Sequence, residues 1–171
     1  MKGGVTIEIK ISMKKGFYLT RQEITHLIIT TLLFFIVMCK INDVIIHYYG
    51  LTDIVSTILT PLNEEFFRFL TFIIGGPIIV LFTLFMALVE FGMYITRLYH
   101  NFNGWGFWAF AFMRVLCVFA HFFFFWIQFQ FYKKAVLHKN YGYLIGGLIL
   151  ATSAHIFWNS TASQYVYNLI K

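Results

Sequence analysis

Pro61-Leu62-Asn63-Glu64-Glu65-Phe66-Phe67-Arg68-Phe69 sets two adjacent acids and an arginine in a stretch otherwise fit for lipid, with Ile54, Val55, Ile58 and Leu59 before it and Leu70 to Ile74 after it. A charged side chain at membrane depth costs about 2.5–3.5 kcal/mol on insertion scales and is tolerated where it faces the bundle interior, a partner or water. The stretch therefore reads as a helix whose charged face points into a bundle and marks a functional site. On a helix Glu64 and Arg68 stand four apart and Glu65 and Arg68 three apart, so either acid can pair with the arginine while the other remains free. The bland alternative is a buried ion pair that only locks two helices, but one arginine does not compensate two acids. Pro61 fits a helix start or a kink, with Thr60 as its N-cap.

Composition extends this reading to the whole chain. Of 171 residues, 60% are hydrophobic and only 12% charged, and mean hydropathy is +0.75; soluble domains carry about 25% charged residues. An ordinary soluble domain is thereby excluded, and a small polytopic membrane protein is expected. The net charge of +6 does not point to nucleic acid, because the cations fall at the ends of apolar segments, as the positive-inside rule requires. Runs such as Phe122 to Phe125 read as lipid-facing bulk. Cys39 and Cys117 lie inside apolar segments without metal or disulfide spacing, so buried thiols are expected.

The spacing predicts an all-α, single-bundle fold of about five transmembrane helices, at about 21–46, 53–74, 77–99, 105–132 and 142–169, following a cytoplasmic arm over 1–20. Thr20-Arg21-Gln22-Glu23 has the form of a capping box before the first apolar run, and Gly75-Gly76-Pro77 is a turn signal. The arm alternates like a short strand over Val5 to Ile11, and Met13 is an alternative start. No cleavable leader is expected, since the first apolar run begins only near Ile24. With the N-terminus inside, Lys2, Lys10, Lys14, Lys15, Arg21, Lys133, Lys134 and Lys139 are cytoplasmic, against only Arg97 and Lys171 outside. The expected location is the cell membrane, with the lipid bilayer as partner.

A rise of about 1.5 Å per residue puts Glu65, Glu90, His121 and His155, on four different helices, at roughly 15 to 20 Å from the cytoplasmic ends of their helices. His155 and Asn159 share a face, as do Arg114 and His121. Acids and histidines gathered in one layer support two chemistries. They can hold a divalent metal such as Zn2+, with Glu65, Glu90, His121 and His155 as the ligand set. Alternatively, a buried glutamate acts directly as base on water, with asparagine at the oxyanion. Either hydrolyses an amide within the membrane. His-Glu-x-x-His is absent, so a zincin site is not expected.

At these residues the sequence resembles the PrsW family of intramembrane proteases, in the wider group with the CAAX prenyl endopeptidases and the anterior-pharynx-defective subunit of γ-secretase. Pro61 to Arg68 is similar to the family's Pro-x-x-Glu-Glu-x-x-Lys element, with arginine for lysine. Ala87-Leu88-Val89-Glu90-Phe91-Gly92-Met93-Tyr94 resembles the second element, with Phe91 in place of asparagine. Arg114 to His121 resembles the third, and His155-Ile156-Phe157-Trp158-Asn159 the fourth. The four stand in order over about residues 58 to 165, in a chain shorter than the larger relatives.

The resemblance implies cleavage of a membrane-embedded or membrane-proximal protein or peptide. Glu64, Glu65, His121, His155 and Asn159 are the implied catalytic residues, with Arg68 in a structural ion pair and Glu90 and Arg114 as additional site residues. Asn159 would orient His155 or stabilise an oxyanion. The alternative is a non-catalytic assembly subunit like that of γ-secretase, which carries Gln-Glu where this chain has Glu64-Glu65. A proton-coupled transporter is a third reading, opposed by the absence of an inverted repeat.

Overall fold

A computed structural model describes residues 21–50, 52, 54–75, 79–99 and 105–162. Every element among them is helical: α1 (Arg21–Tyr49), α2 (Thr60–Gly75), α3 (Ile79–Tyr99), α4 (Trp105–His138) and α5 (Gly142–Phe157), with π-helical turns at Val55–Leu59 and Trp158–Ala162. The expected arm over 1–20 with its capping box, the Gly76-Pro77 turn, and the last turns of the fifth helix lie outside the described residues. Two helical segments, Ile24–Tyr49 and Phe107–His138, are long and apolar enough to cross a membrane.

Exposure runs opposite to that of a water-soluble bundle. On α4, Trp108, Phe112, Val115, Phe119, Phe123 and Trp126 form one exposed stripe, while His121 and Gln128 are buried. Their spacing of three and four residues is that of one helical face. On α1 the outward face is likewise apolar, through Ile29, Leu33, Ile36 and Val44.

Two apolar clusters hold the helices together. One joins Met38, Phe67, Phe72, Phe82, Met86 and Tyr132 across α1 to α4; the other joins Ala120, Phe124, Ile127 and Ala151 between α4 and α5. Gly147 allows a close approach of that pair, since a Cβ there would lie 2.7 Å from Phe131 Cβ. A polar seam ties α1 to α2, where Asn63 Nδ2 donates to Asn42 Oδ1 at 2.8 Å and to the Met38 carbonyl at 3.2 Å.

Two boundaries differ from the sequence expectation. α4 continues through Lys133 and Lys134 to His138, because helix propagation follows backbone propensity, which Lys, Ala and Leu satisfy, and does not stop where the apolar run ends. The turn is confined to Lys139 to Tyr141, with Lys139 at φ 50° and the Asn140 N–H bonded to the Ala135 carbonyl at 3.1 Å. Thr60 is not an N-cap, since it sits in helical conformation with its N–H on the Val55 carbonyl, five residues back. Pro61 offers no N–H and crowds the carbonyl four residues before it, and the preceding turn widens into a π-helix. The start is set upstream by Thr52, whose Oγ1 accepts the Val55 N–H at 3.4 Å.

Candidate active site

α2 brings Glu64, Glu65 and Arg68 to the centre of the bundle. Glu65 and Arg68 are completely buried and paired with each other. The same Glu65 oxygen, Oε1, faces His155 Nδ1 at 2.9 Å, and Oε2 accepts from Gln128 Nε2 at 2.8 Å. Glu65 thus joins α2, α4 and α5, and both its oxygens are engaged.

A second carboxylate does the same on the other side. Glu90, on α3, faces His121 Nε2 through Oε2 at 2.7 Å, and its Oε1 accepts from Arg114 Nη1 at 3.3 Å. Arg114 and His121, seven residues apart on α4, therefore meet one acid.

These contacts assign the imidazole protons. A carboxylate only accepts, so the nitrogen facing it carries hydrogen: Nε2 of His121 and Nδ1 of His155. The remaining nitrogens offer lone pairs. His121 Nδ1 lies 3.4 Å from Arg68 Nη2, which can only donate, and His155 Nε2 lies 3.9 Å from Glu64 Oε2. The two rings stand perpendicular with centroids 5.1 Å apart, and Phe124 stacks on His155 at 4.5 Å, holding that ring in place.

Glu64, His121 and His155 each present one donor atom within 4.8 Å of the others. A tetrahedral divalent ion with ligands at about 2.0–2.2 Å needs donors roughly 3.4 Å apart, so the three must close by on the order of 1 Å, with Arg68 withdrawing from His121 Nδ1. The donor set otherwise suits such an ion. Each histidine is backed by a carboxylate that fixes its tautomer, the usual outer support of a metal ligand. The charges also suit it: Glu65 is matched by Arg68 and Glu90 by Arg114, which leaves Glu64 as the acid in excess.

The expected ligand set of Glu65, Glu90, His121 and His155 is therefore rearranged. The histidines converge with Glu64, while Glu65 and Glu90 stand behind them. Both acids are already engaged, Glu65 with Arg68, Gln128 and His155, Glu90 with Arg114 and His121. Asn159 Nδ2 donates to the Ser56 carbonyl at 3.1 Å, linking the two π-helical turns. Sequence reasoning missed Gln128, although it lies seven residues beyond His121 on the same face of α4.

No family model, curated protein or solved structure matches the chain.

Proposed function

We propose that this chain is an integral membrane hydrolase, a PrsW-like intramembrane peptidase of five spans with its N-terminus in the cytoplasm, acting on membrane-embedded or membrane-proximal peptide bonds. The observation that carries this reading is the convergence of Glu64, His121 and His155 inside a bundle whose outward faces are apolar. Buried acids and histidines amid lipid-facing helices are costly and belong to functional sites.

Glu64 is the residue suited to act as base. It is 12% exposed at the side chain, whereas Glu65 is sealed. As a water oxygen bonds to the amide carbon, Glu64 takes one of its protons; it returns that proton to the leaving nitrogen as the C–N bond breaks. His155 and His121 hold their lone-pair nitrogens toward the reacting centre. In the alternative chemistry Glu64 is a ligand instead of the base: a divalent ion, when bound to Glu64, His121 and His155, would supply Lewis acidity toward water and the carbonyl.

The scaffold reading draws on a different observation. The Glu65, Arg68, Gln128 and His155 network ties three helices together, as an assembly subunit would need. One experiment separates the two. Purified protein in liposomes is offered a panel of single-span reporters, comparing the native chain with Glu64→Gln and His155→Ala, with and without chelator. Cleavage lost in folded variants supports the hydrolase. Absence of cleavage across the panel, together with loss of a co-purifying membrane protein in the variants, supports the scaffold and sinks the peptidase.

A further inference from the structure

We infer that Gln128 is a positioning residue for the site, acting through Glu65 on the tautomer and aim of His155; the inference rests on the reading of His155 as a site residue. Gln128 is 3% exposed. Its amide nitrogen donates to Glu65 Oε2 at 2.8 Å and also reaches the Glu65 main-chain carbonyl at 3.3 Å. It therefore grips both ends of the same residue from a neighbouring helix.

The geometry gives that grip a specific purpose. Glu65 Oε1 receives Arg68 and the His155 Nδ1–H, but two donors on a single oxygen leave the carboxylate plane free to turn, because the terminal torsion of glutamate is broad. A third donor on Oε2 fixes the plane. With the plane fixed, Oε1 points at His155 Nδ1, the proton stays on that nitrogen, and the Nε2 lone pair faces Glu64.

Without Gln128, Oε2 would be a buried carboxylate oxygen lacking its donor, an arrangement that proteins avoid. The carboxylate turns to share its remaining donors, and its hold on His155 loosens. Gln128 Oε1 is itself buried without a hydrogen-bond partner, so the residue engages the site through its donor end alone.

The test reads the imidazole directly. Nitrogen-15 spectra of histidine-labelled protein, with His155 assigned from a His155→Asn variant, are compared for the native chain, Gln128→Leu and Thr83→Val. Thr83 is another buried polar residue, on α3 about 10 Å along the helix from Glu90, and serves as the control for losing a buried polar group. The inference expects His155 as the Nδ1–H tautomer in the native chain and in Thr83→Val, and a mixture with Nε2–H in Gln128→Leu.

Cobalt titration gives a second readout, with affinity lowered about 10-fold in Gln128→Leu, the low end of the range for lost outer-shell support. A His155 spectrum unchanged in Gln128→Leu overturns the inference, as does an equal change in Thr83→Val. Failure of the native chain to bind cobalt or cleave reporters would instead tell against the proposed activity, and the tautomer result would still decide the role of Gln128. Should Gln128→Leu not fold, Gln128→Met keeps the length and shape without the donor and is read in the same way.

Discussion

Glu64 and Glu65 are sequence neighbours on one turn of α2 and end in opposite states. Glu65 is sealed, with Arg68, His155 and Gln128 on its two oxygens. Glu64 stays partly exposed, its Oε2 3.9 Å from His155 Nε2, a distance too long for a hydrogen bond. The turn of about 100° between successive helical residues is enough to seal one acid into the framework and leave the other partly exposed.

The two acids therefore respond differently to substitution. Glu64→Gln is expected to lower reporter cleavage by about 10²- to 10⁴-fold, the usual contribution of a general base, with thermal unfolding close to native. Glu65→Gln leaves Arg68 buried without its counter-charge and is expected to cost about 3–5 kcal/mol of stability. Paired cleavage and unfolding measurements on both variants check this, and a reversed pattern would reassign the base to Glu65.

Glu90 is predicted to act on His121 alone. Glu90→Gln can turn its amide toward His121 and disturb the assigned tautomer, so metal affinity should fall by about 10- to 100-fold. Arg114→Gln should have a smaller effect, because Arg114 meets Oε1 of Glu90, not the Oε2 that faces His121. Cobalt titration of the two variants compares them.

Glycine substitutions report on the packing that delivers His155. Gly147→Ala puts a methyl 2.7 Å from Phe131 Cβ and is expected to destabilise by about 1–3 kcal/mol, with loss of cleavage as α5 is pushed from α4. Gly92→Ala meets nothing within 4 Å and should stabilise by up to about 1 kcal/mol, through helix propensity. Thermal unfolding in one lipid mixture ranks them.

Chelation distinguishes the two hydrolytic chemistries. If the Glu64, His121 and His155 set works with a metal, a strong chelator should abolish cleavage and added Zn2+ should restore it. Chelator-resistant cleavage that still depends on Glu64 would assign the reaction to the glutamate alone.

The all-helical fold was legible because apolar runs long enough to span a bilayer leave little choice of backbone. That Glu65, Glu90, His121 and His155 would be brought together was legible, since buried charge has few tolerable places in such a chain. Which acid pairs with Arg68 was not legible: spacings of three and four residues both permit contact, and only the neighbouring helices decide. Gln128 escaped for a related reason. Uncharged and set between Ile127 and Phe129, it carries no electrostatic signal, and its contact with Glu65 exists only once α2 lies against α4. Asn159 shares a face with His155 by spacing, and its Nδ2 bond across to Ser56 ends on a π-helical turn that periodicity does not foresee.

The widened turn at Val55–Leu59 has a consequence for how α2 is held. A π-turn pairs a carbonyl with the N–H five residues on, and the residue five beyond Ser56 is Pro61, which has no N–H to give. The Ser56 carbonyl accepts from Asn159 Nδ2. The helix that carries Glu64 and Glu65 is thereby pinned at its first turn to the turn that follows His155.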